Sequence, residues 1–281
     1  TTVVNNGKLN IHTGNNALNY SFTIDEIKAG SSIDLLYTSI SGNAQNNRLN
    51  LSLQVRDVTK KERYRIAGVF TALPNEYQFS FLQNGLLLDY TPWTVNPDNA
   101  LQFGARGILA TNFTISNSNQ MLSVNSSSHQ YNSPLTVSFT NFRMETLTKI
   151  AQQDSLQVGG TINGKAEISN LEKSPVFVAD MNIENFSFKG DTVGNVALKV
   201  NNQTANAYAA NVGITGNGNQ VAPNGMYYTS PKSSFDLDLN IQALNVKSIE
   251  GFSFGSIRRA SGTINGRLKI TGTPDAPTAA A

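Results

Sequence analysis

The residues that could do chemistry are few, and their spacing serves it poorly. Gly251-Phe252-Ser253-Phe254-Gly255 has the G-x-S-x-G spacing of a nucleophile elbow. That motif needs a strand before it, a helix after it and a histidine later in the chain. The only histidines, His12 and His129, both precede Ser253. The expectation is structural instead: Phe252 and Phe254 pack inward while Ser253 faces out. Asp236-x-Asp238-x-Asn240 copies the opening of a calcium loop. Ile241 and Lys247 stand where such a loop needs Gly and Glu, so alternate polar positions on a strand explain it better. Gly213, Gly216 and Gly218 lack the dinucleotide-binding spacing and any βαβ context. No local pattern picks a pair of carboxylates for glycoside chemistry from the 19 acidic residues. Cysteine is absent, which removes disulfides, thiolate catalysis and Cys-based metal sites. The expectation is a protein with no catalytic residue, no metal site and no cofactor, and so not an enzyme.

Composition points the same way. Charged residues make up only 14% of the 281 positions, and the polar share is carried by Asn, Ser, Thr, Gln and Gly. With many β-branched residues this favours an all-β, secreted-type protein. A net charge of +2 is too weak a field to argue for nucleic acid, and none is expected as a partner. The one basic cluster is Lys60, Lys61, Arg63 and Arg65, interleaved with Glu62 and Tyr64. It reads as a solvated hairpin rather than a phosphate site. No run of 18 apolar residues and no signal peptide is present. The chain is expected to be a fragment of a longer one, with its export signal or anchor lying outside it.

The elements that must position these residues announce themselves by a repeat. Gly160-Thr161-Ile162-Asn163-Gly164-Lys165 returns 102 residues later as Gly262-Thr263-Ile264-Asn265-Gly266-Arg267. Upstream, Leu135, Val137, Phe139, Phe142, Met144, Leu147 and Ile150 fall on Leu237, Leu239, Ile241, Leu244, Val246, Ile249 and Phe252. Apolar character is kept while identity drifts, as in a duplicated structural unit. Two copies suit a modular, elongated architecture or a duplication inside a larger compact fold.

Period-two alternation dominates the rest. Leu49, Leu51, Leu53 and Val55 alternate with polar residues, as do Val196, Leu198 and Val200, and Phe235, Leu237, Leu239 and Ile241. Leu109, Phe113 and Ile115 read as one further run. Each such strand has one apolar and one wet face, and Asn-Gly-type turns between them imply antiparallel meanders. A short amphipathic helix or helical turn is expected over Asn141–Gln153 and over Ala243–Phe252. The Asn-Gly of the repeated motif is expected inside a strand softened by glycine rather than at a turn. Gly213 to Tyr228 reads as the loosest stretch, a long hairpin tip. Aromatics such as Tyr90, Trp93, Phe103, Phe113, Phe186 and Phe188 serve as core or line a ligand surface. So many one-sided strands with so few helices leave two solutions: two sheets facing each other, or one sheet curling on itself.

Strand, short helix, Gly-Thr-Ile-Asn-Gly-Lys-Ala-Glu-Ile, then Pro175 and the strand pair from Phe177 to Phe188 resembles the TamB/AsmA-like family of bacterial envelope proteins. Gly272-Thr273-Pro274-Asp275-Ala276-Pro277 is similar to that family's repeated cadence. Trp93-Thr94-Val95-Asn96-Pro97-Asp98-Asn99 looks like its Bacteroidetes branch. The resemblance covers about residues 135 to 277. It implies an elongated, curled antiparallel sheet, a β-taco or β-groove with a few short helices. Val137, Phe139, Ile168, Met181, Ile183, Leu198, Leu237, Leu239, Ile241 and Ile270 are the expected lining of its apolar trough. The resemblance further implies a periplasmic bridge, anchored to the inner membrane by a segment outside this chain and reaching the outer membrane. Its implied partners are phospholipid acyl chains, an Omp85-type outer-membrane barrel protein and a membrane at each end. No catalytic residue carries over. On this reading residues 1–134 form the N-terminal part of the groove, 135–236 the first repeat unit and 237–281 the start of the second.

Two other functions compete. A carbohydrate-binding or adhesive β-sandwich would have a closed core and exposed Trp or Tyr platforms, and the chain has one tryptophan. A transmembrane β-barrel would place aromatic girdles at strand ends, whereas here the aromatics fall mid-strand as often.

Overall fold

The computed structural model describes residues 2–30, 33–150, 156–172 and 174–280. Strands account for 71% of the chain and helices for about 5%, so the all-β expectation holds. The sheet is antiparallel and is not closed. The chain divides into two compact units, Thr1–Leu135 and Thr136–Ala281.

The first unit runs through β1 (Thr2–Asn5), β2 (Lys8–Gly14), β3 (Ala17–Ala29), β4 (Ile33–Gln45), β5 (Arg48–Arg56), β6 (Glu62–Leu73), β7 (Glu76–Leu88), β8 (Thr91–Val95), β9 (Ala100–Gly104), β10 (Gly107–Thr111), β11 (Phe113–Asn117) and β12 (Gln120–Ser126). Hairpin neighbours pair from β2 to β7. Their turns use Asn15-Asn16, Asn46-Asn47 and Pro74-Asn75, with the asparagines at positive φ. Asparagine tolerates that conformation because its short amide bonds the local backbone. At β7 the sheet forks. Glu76 to Phe79 pair with β9, and Leu86 to Leu88 pair with β8. β9 leads to β10, and β8 leads to β11 and β12. The run read as Leu109, Phe113 and Ile115 is therefore two strands, broken at Asn112, which has φ 49°. Ile108 and Ala110 lie opposite Phe103 and Leu101, so Leu109 points to the other side of the sheet.

Phe81 lies opposite Gly68 of β6, but on its other edge the fork leaves it without a strand partner, and a side chain takes that place. Asn99, only 2% exposed, accepts from the Phe81 N–H at 2.7 Å and donates to its C=O at 2.9 Å. A primary amide carries one acceptor and one donor in a plane, as a peptide does, so it continues the ladder where the backbone cannot. The small core here is Leu86, Trp93, Val95 and Ala110.

The second unit holds β13 (Leu135–Arg143), α1 (Met144–Ile150), β14 (Val158–Ser169), β15 (Val176–Phe188), β16 (Asp191–Asn201), β17 (Ala207–Gly216), β18 (Asn219–Tyr228), β19 (Ser234–Asn245), β20 (Thr263–Thr273) and β21 (Ala276–Ala280). From β14 to β21 each strand pairs antiparallel with the next. The stretch Gly213 to Tyr228 is not a loose tip. It is the end of β17 and all of β18, joined by a two-residue turn at Asn217-Gly218.

The repeat recurs in the backbone. Gly160 and Gly164 have φ 129° and 140°, and Gly262 and Gly266 have φ 106° and 144°. Both motifs run on as strand. The helical expectation divides: α1 occupies Met144–Ile150, after a strand that keeps Asn141 to Arg143, while residues 151–153 lie outside the described ones. In the second copy two 3₁₀ turns, Val246–Ile249 and Gly251–Ser253, take its place.

The repeat supplies a matched pair of tests. A Cβ on Gly164 would sit 2.3 Å from the Asp180 carbonyl oxygen, whereas one on Gly266 meets nothing within 4 Å. Both positions carry the positive-φ cost, about 1–3 kcal/mol. Gly164→Ala adds an overpacking cost of about 1–3 kcal/mol. Urea unfolding should therefore show Gly164→Ala the more destabilised of the two variants.

Candidate functional site

Antiparallel register places directly opposed residues on the same face. In the second unit this sorts the side chains into four rows crossing the strands. The first is Ile162, Ile183, Val196, Ile214, Val221 and Ile241. The next holds Met181, Leu198, Leu239 and Leu268. The third is small over most of its length: Ala166, Ala179, Val200, Ala210 and Gly225, then Leu237 and Ile270. The fourth begins at Ile168 and Phe177 and ends at Tyr208, Tyr227 and Phe235. From β14 to β18 this row of smaller residues, with bulkier rows on either side, makes a shallow furrow across the strands.

This face is only half-buried. Ile162, Val221 and Ile241 in the first row are buried, but the middle rows are not. Strands β14 to β21 all belong to the one meander, so none of them is left to lie over the face. The other face carries Lys165, Glu167, Asp180, Lys199, Asp238 and Lys269 in the open. Lys199 meets Asp180 at 3.3 Å, and Lys269 meets Asp236 at 3.0 Å.

Eight of the ten residues expected to line an apolar surface share this face. Ile183 and Ile241 sit in the first row, and Met181, Leu198 and Leu239 in the second. Leu237 and Ile270 sit in the third and Ile168 in the fourth. Val137 and Phe139 lie on β13, half-buried, with the Phe139 ring 5.6 Å from that of Phe142. The rows also contain Ile214, Val221, Tyr208 and Tyr227, which were not among the expected lining residues. Pro223 and Gly225 occupy two inward positions of β18 and hide its period.

The aromatic row is continuous. Ring centroids are 5.9 Å apart for Phe177–Tyr208, 6.3 Å for Tyr208–Tyr227 and 5.3 Å for Tyr227–Phe235. Tyr208 and Tyr227 are stacked, within 21° of parallel.

At the sequence-flagged chemical positions the groups are otherwise engaged. Ser253 Oγ donates to the Glu250 carbonyl at 2.7 Å and accepts from the Ile257 N–H at 3.0 Å, so its hydroxyl builds a loop. Ser253 is half-buried while Phe252 and Phe254 are exposed, the reverse of the packing expected from sequence. A chain that turns through two consecutive 3₁₀ segments loses the strand alternation on which that expectation rested. Among the described residues no group of three His, Asp or Glu side chains converges to hold a metal ion. A hollow of about 600 Å³ in the first unit is bordered by Ser52, Gln54, Arg65 and Asn84, and one of about 440 Å³ in the second by Asn224, Asp238, Asn240 and Arg267.

The basic cluster is a braced hairpin. Asp57 accepts from the N–H groups of Thr59 and Lys61 and from the hydroxyls of Thr59 and Tyr90. Those bonds, the Thr59 hydroxyl first, hold its carboxyl down to about 2. Arg63 bonds Asp89 at 2.9 Å, and Arg65 lies 3.6 Å from Glu62. Lys61 stands over the Tyr90 ring at 4.9 Å. Further along, Arg106 donates to both oxygens of buried Glu76, and Tyr131 donates to one of them. The Arg106 bond, helped by Tyr131, holds the Glu76 carboxyl below its usual range.

Comparison with protein-family models, with curated proteins and with solved structures returns no match. Any functional reading therefore rests on this chain's own residues.

The Asp57 brace predicts an acid limb. A carboxyl whose folded pKa is lowered stabilises fully above its unfolded value, about 3.9, and that stability fades as pH falls through its folded value. Urea midpoints measured from pH 6 downward should fall between about 4 and about 2. Asp57→Asn should lower the midpoint at pH 6 and flatten that limb. An unchanged limb in the variant would assign the acid sensitivity to other groups.

Proposed function

We propose that this chain is a stretch of a periplasm-spanning envelope bridge of the TamB/AsmA-like kind. Its apolar face conducts phospholipid between inner and outer membrane, and the whole chain supports outer-membrane protein assembly with an Omp85-type barrel partner. The observation that carries the reading is the apolar face of β14 to β20, half-open and continuous across seven strands, with small residues furrowing it from β14 to β18. An acyl chain in water costs about 0.8 kcal/mol for each exposed CH₂. A continuous apolar surface removes that cost at every point along the route, while the headgroup stays in water. Curling of the sheet around the furrow would complete the trough. The face carries no catalytic group, and conduction needs none: a tight site would trap the cargo.

The aromatic row separates this reading from an adhesive, carbohydrate-binding one. A sugar ring stacks on an open aromatic face. Tyr208 and Tyr227 are stacked with each other instead.

Crosslinkable amino acids at Leu198, Leu237 and Leu239 should capture phospholipid in cells. Capture at Asp236 or Asp238 alone would reverse the faces and sink the assignment. Leu239→Ala should leave transport nearly intact. Leu239→Arg or Ile168→Asp should weaken the outer-membrane barrier at matched abundance, because a charge on that face must be desolvated at several kcal/mol or draws water in. An intact barrier in both charged variants would show that the face is not a lipid path.

A further inference from the structure

We propose that the loop from Glu250 to Ala260 is a contact for an anionic phospholipid membrane surface. The inference goes beyond conduction along the sheet and does not depend on it. Phe254 is 74% exposed and Phe252 45%, and Arg258 and Arg259 follow them in the open.

The exposure is built in. Besides the two Ser253 hydroxyl bonds, the Ser256 N–H donates to the Ser253 carbonyl, and the Glu250 carboxylate accepts from the Ala260 N–H. Arg258 Nε donates to the Gly255 carbonyl at 3.0 Å. The loop leans on the β15–β16 turn: a Cβ on Gly251 would lie 2.5 Å from the Phe188 carbonyl oxygen, and Phe252 stacks on Phe188 at 4.5 Å. Phe254 then takes φ 51°, unusual for a bulky residue, and projects beside the Lys189 ammonium, 4.3 Å from its ring.

The duplicated unit is an internal control. Where the second copy has Phe254, Arg258 and Arg259, the first has Gln152, Leu156 and Gln157. Residues 247–260 carry Lys247, Arg258 and Arg259 against Glu250, a net +2. Residues 145–158 carry Glu145 and Asp154 against Lys149, a net −1. The repeated motif thus recurs without the aromatic and the cations recurring beside it. A phenyl ring held out in water beside an ammonium group, with two exposed arginines following in the same loop, suits a headgroup layer, which takes up the ring while phosphates pair with the cations. A folded partner would need a pocket cut for the ring; a bilayer accepts any protrusion.

The test is co-sedimentation of the full 281-residue chain with vesicles of phosphatidylcholine mixed with phosphatidylglycerol, against pure phosphatidylcholine. Binding should favour the anionic vesicles and weaken with salt. Arg259→Gln should weaken it roughly five-fold. Phe254→Gln should weaken it about ten-fold. Both restore the residue type of the first copy, and an unchanged thermal midpoint confirms folding. Should Phe254→Gln shift that midpoint, Arg259→Glu alone carries the test, because Arg259 makes no ion pair among the described residues. Equal binding to both vesicle types, undiminished binding by the variants, or binding to an acidic polypeptide but to no vesicle overturns the proposal. Leu239→Arg should bind vesicles as the wild type does, so failure here and failure of the conducting face are separate results.

Discussion

A wide antiparallel sheet must satisfy the polar groups of every strand while holding its apolar side chains on one side. The two demands collide wherever a fork or bulge interrupts the ladder. This chain resolves the collision with asparagine. Asn99 completes Phe81 at the fork, and Asn219, 4% exposed, accepts from the Asn245 N–H at 2.8 Å and donates to the Val193 carbonyl. Asn163 accepts from the Asn141 N–H, Asn195 from the Asn185 N–H and Asn202 from the Phe177 N–H. A buried unpaired peptide group costs about 1–3 kcal/mol. An amide side chain removes that cost without adding a charge, which explains a composition rich in asparagine and poor in ions.

With the ladder kept intact, register carries the apolar character from strand to strand. Ile168 opposes Phe177 and Met181 opposes Leu198 only because the bulge between Ile183 and Phe186 takes up the slip at one end of β15. A one-residue error would turn every side chain of a strand to the wrong face. The repeated Gly164 lets β14 approach the Asp180 carbonyl closely while the alternation on either side is kept. The furrow, the aromatic row and the charged outer face all follow from that register.

The most heavily bonded carboxylates belong to the first unit, the furrow to the second. Glu76 with Arg106 and Tyr131, and Asp57 with its turn, brace hairpins of the first unit. The proposed functions ask little of them. They ask for an uncharged face in one place and an exposed aromatic beside cations in another. Neither is a constellation of reacting groups, which is why motif spacing in the chain pointed to chemistry only to exclude it.

Much was legible from residue order alone. Alternation in β5, β16 and β19 assigns both strand type and inward face, because a period of two is a property of the backbone and needs no partner. The 102-residue repeat announces the recurrence of β14 as β20. Other features waited for pairing. β18 was unreadable because Pro223 and Gly225 hold inward positions that neighbours define. Leu109 parted from Phe113 because the fork at β7 sends β10 and β11 to different partners. Phe252 and Phe254 look like core residues by type. Their exposure is decided by two 3₁₀ turns and the packing of Gly251 against the β15–β16 turn. Local order determines which residues can share a face. Only the tertiary structure decides what meets that face, since contacts between distant strands depend on bulges, forks and close approaches that no local period records.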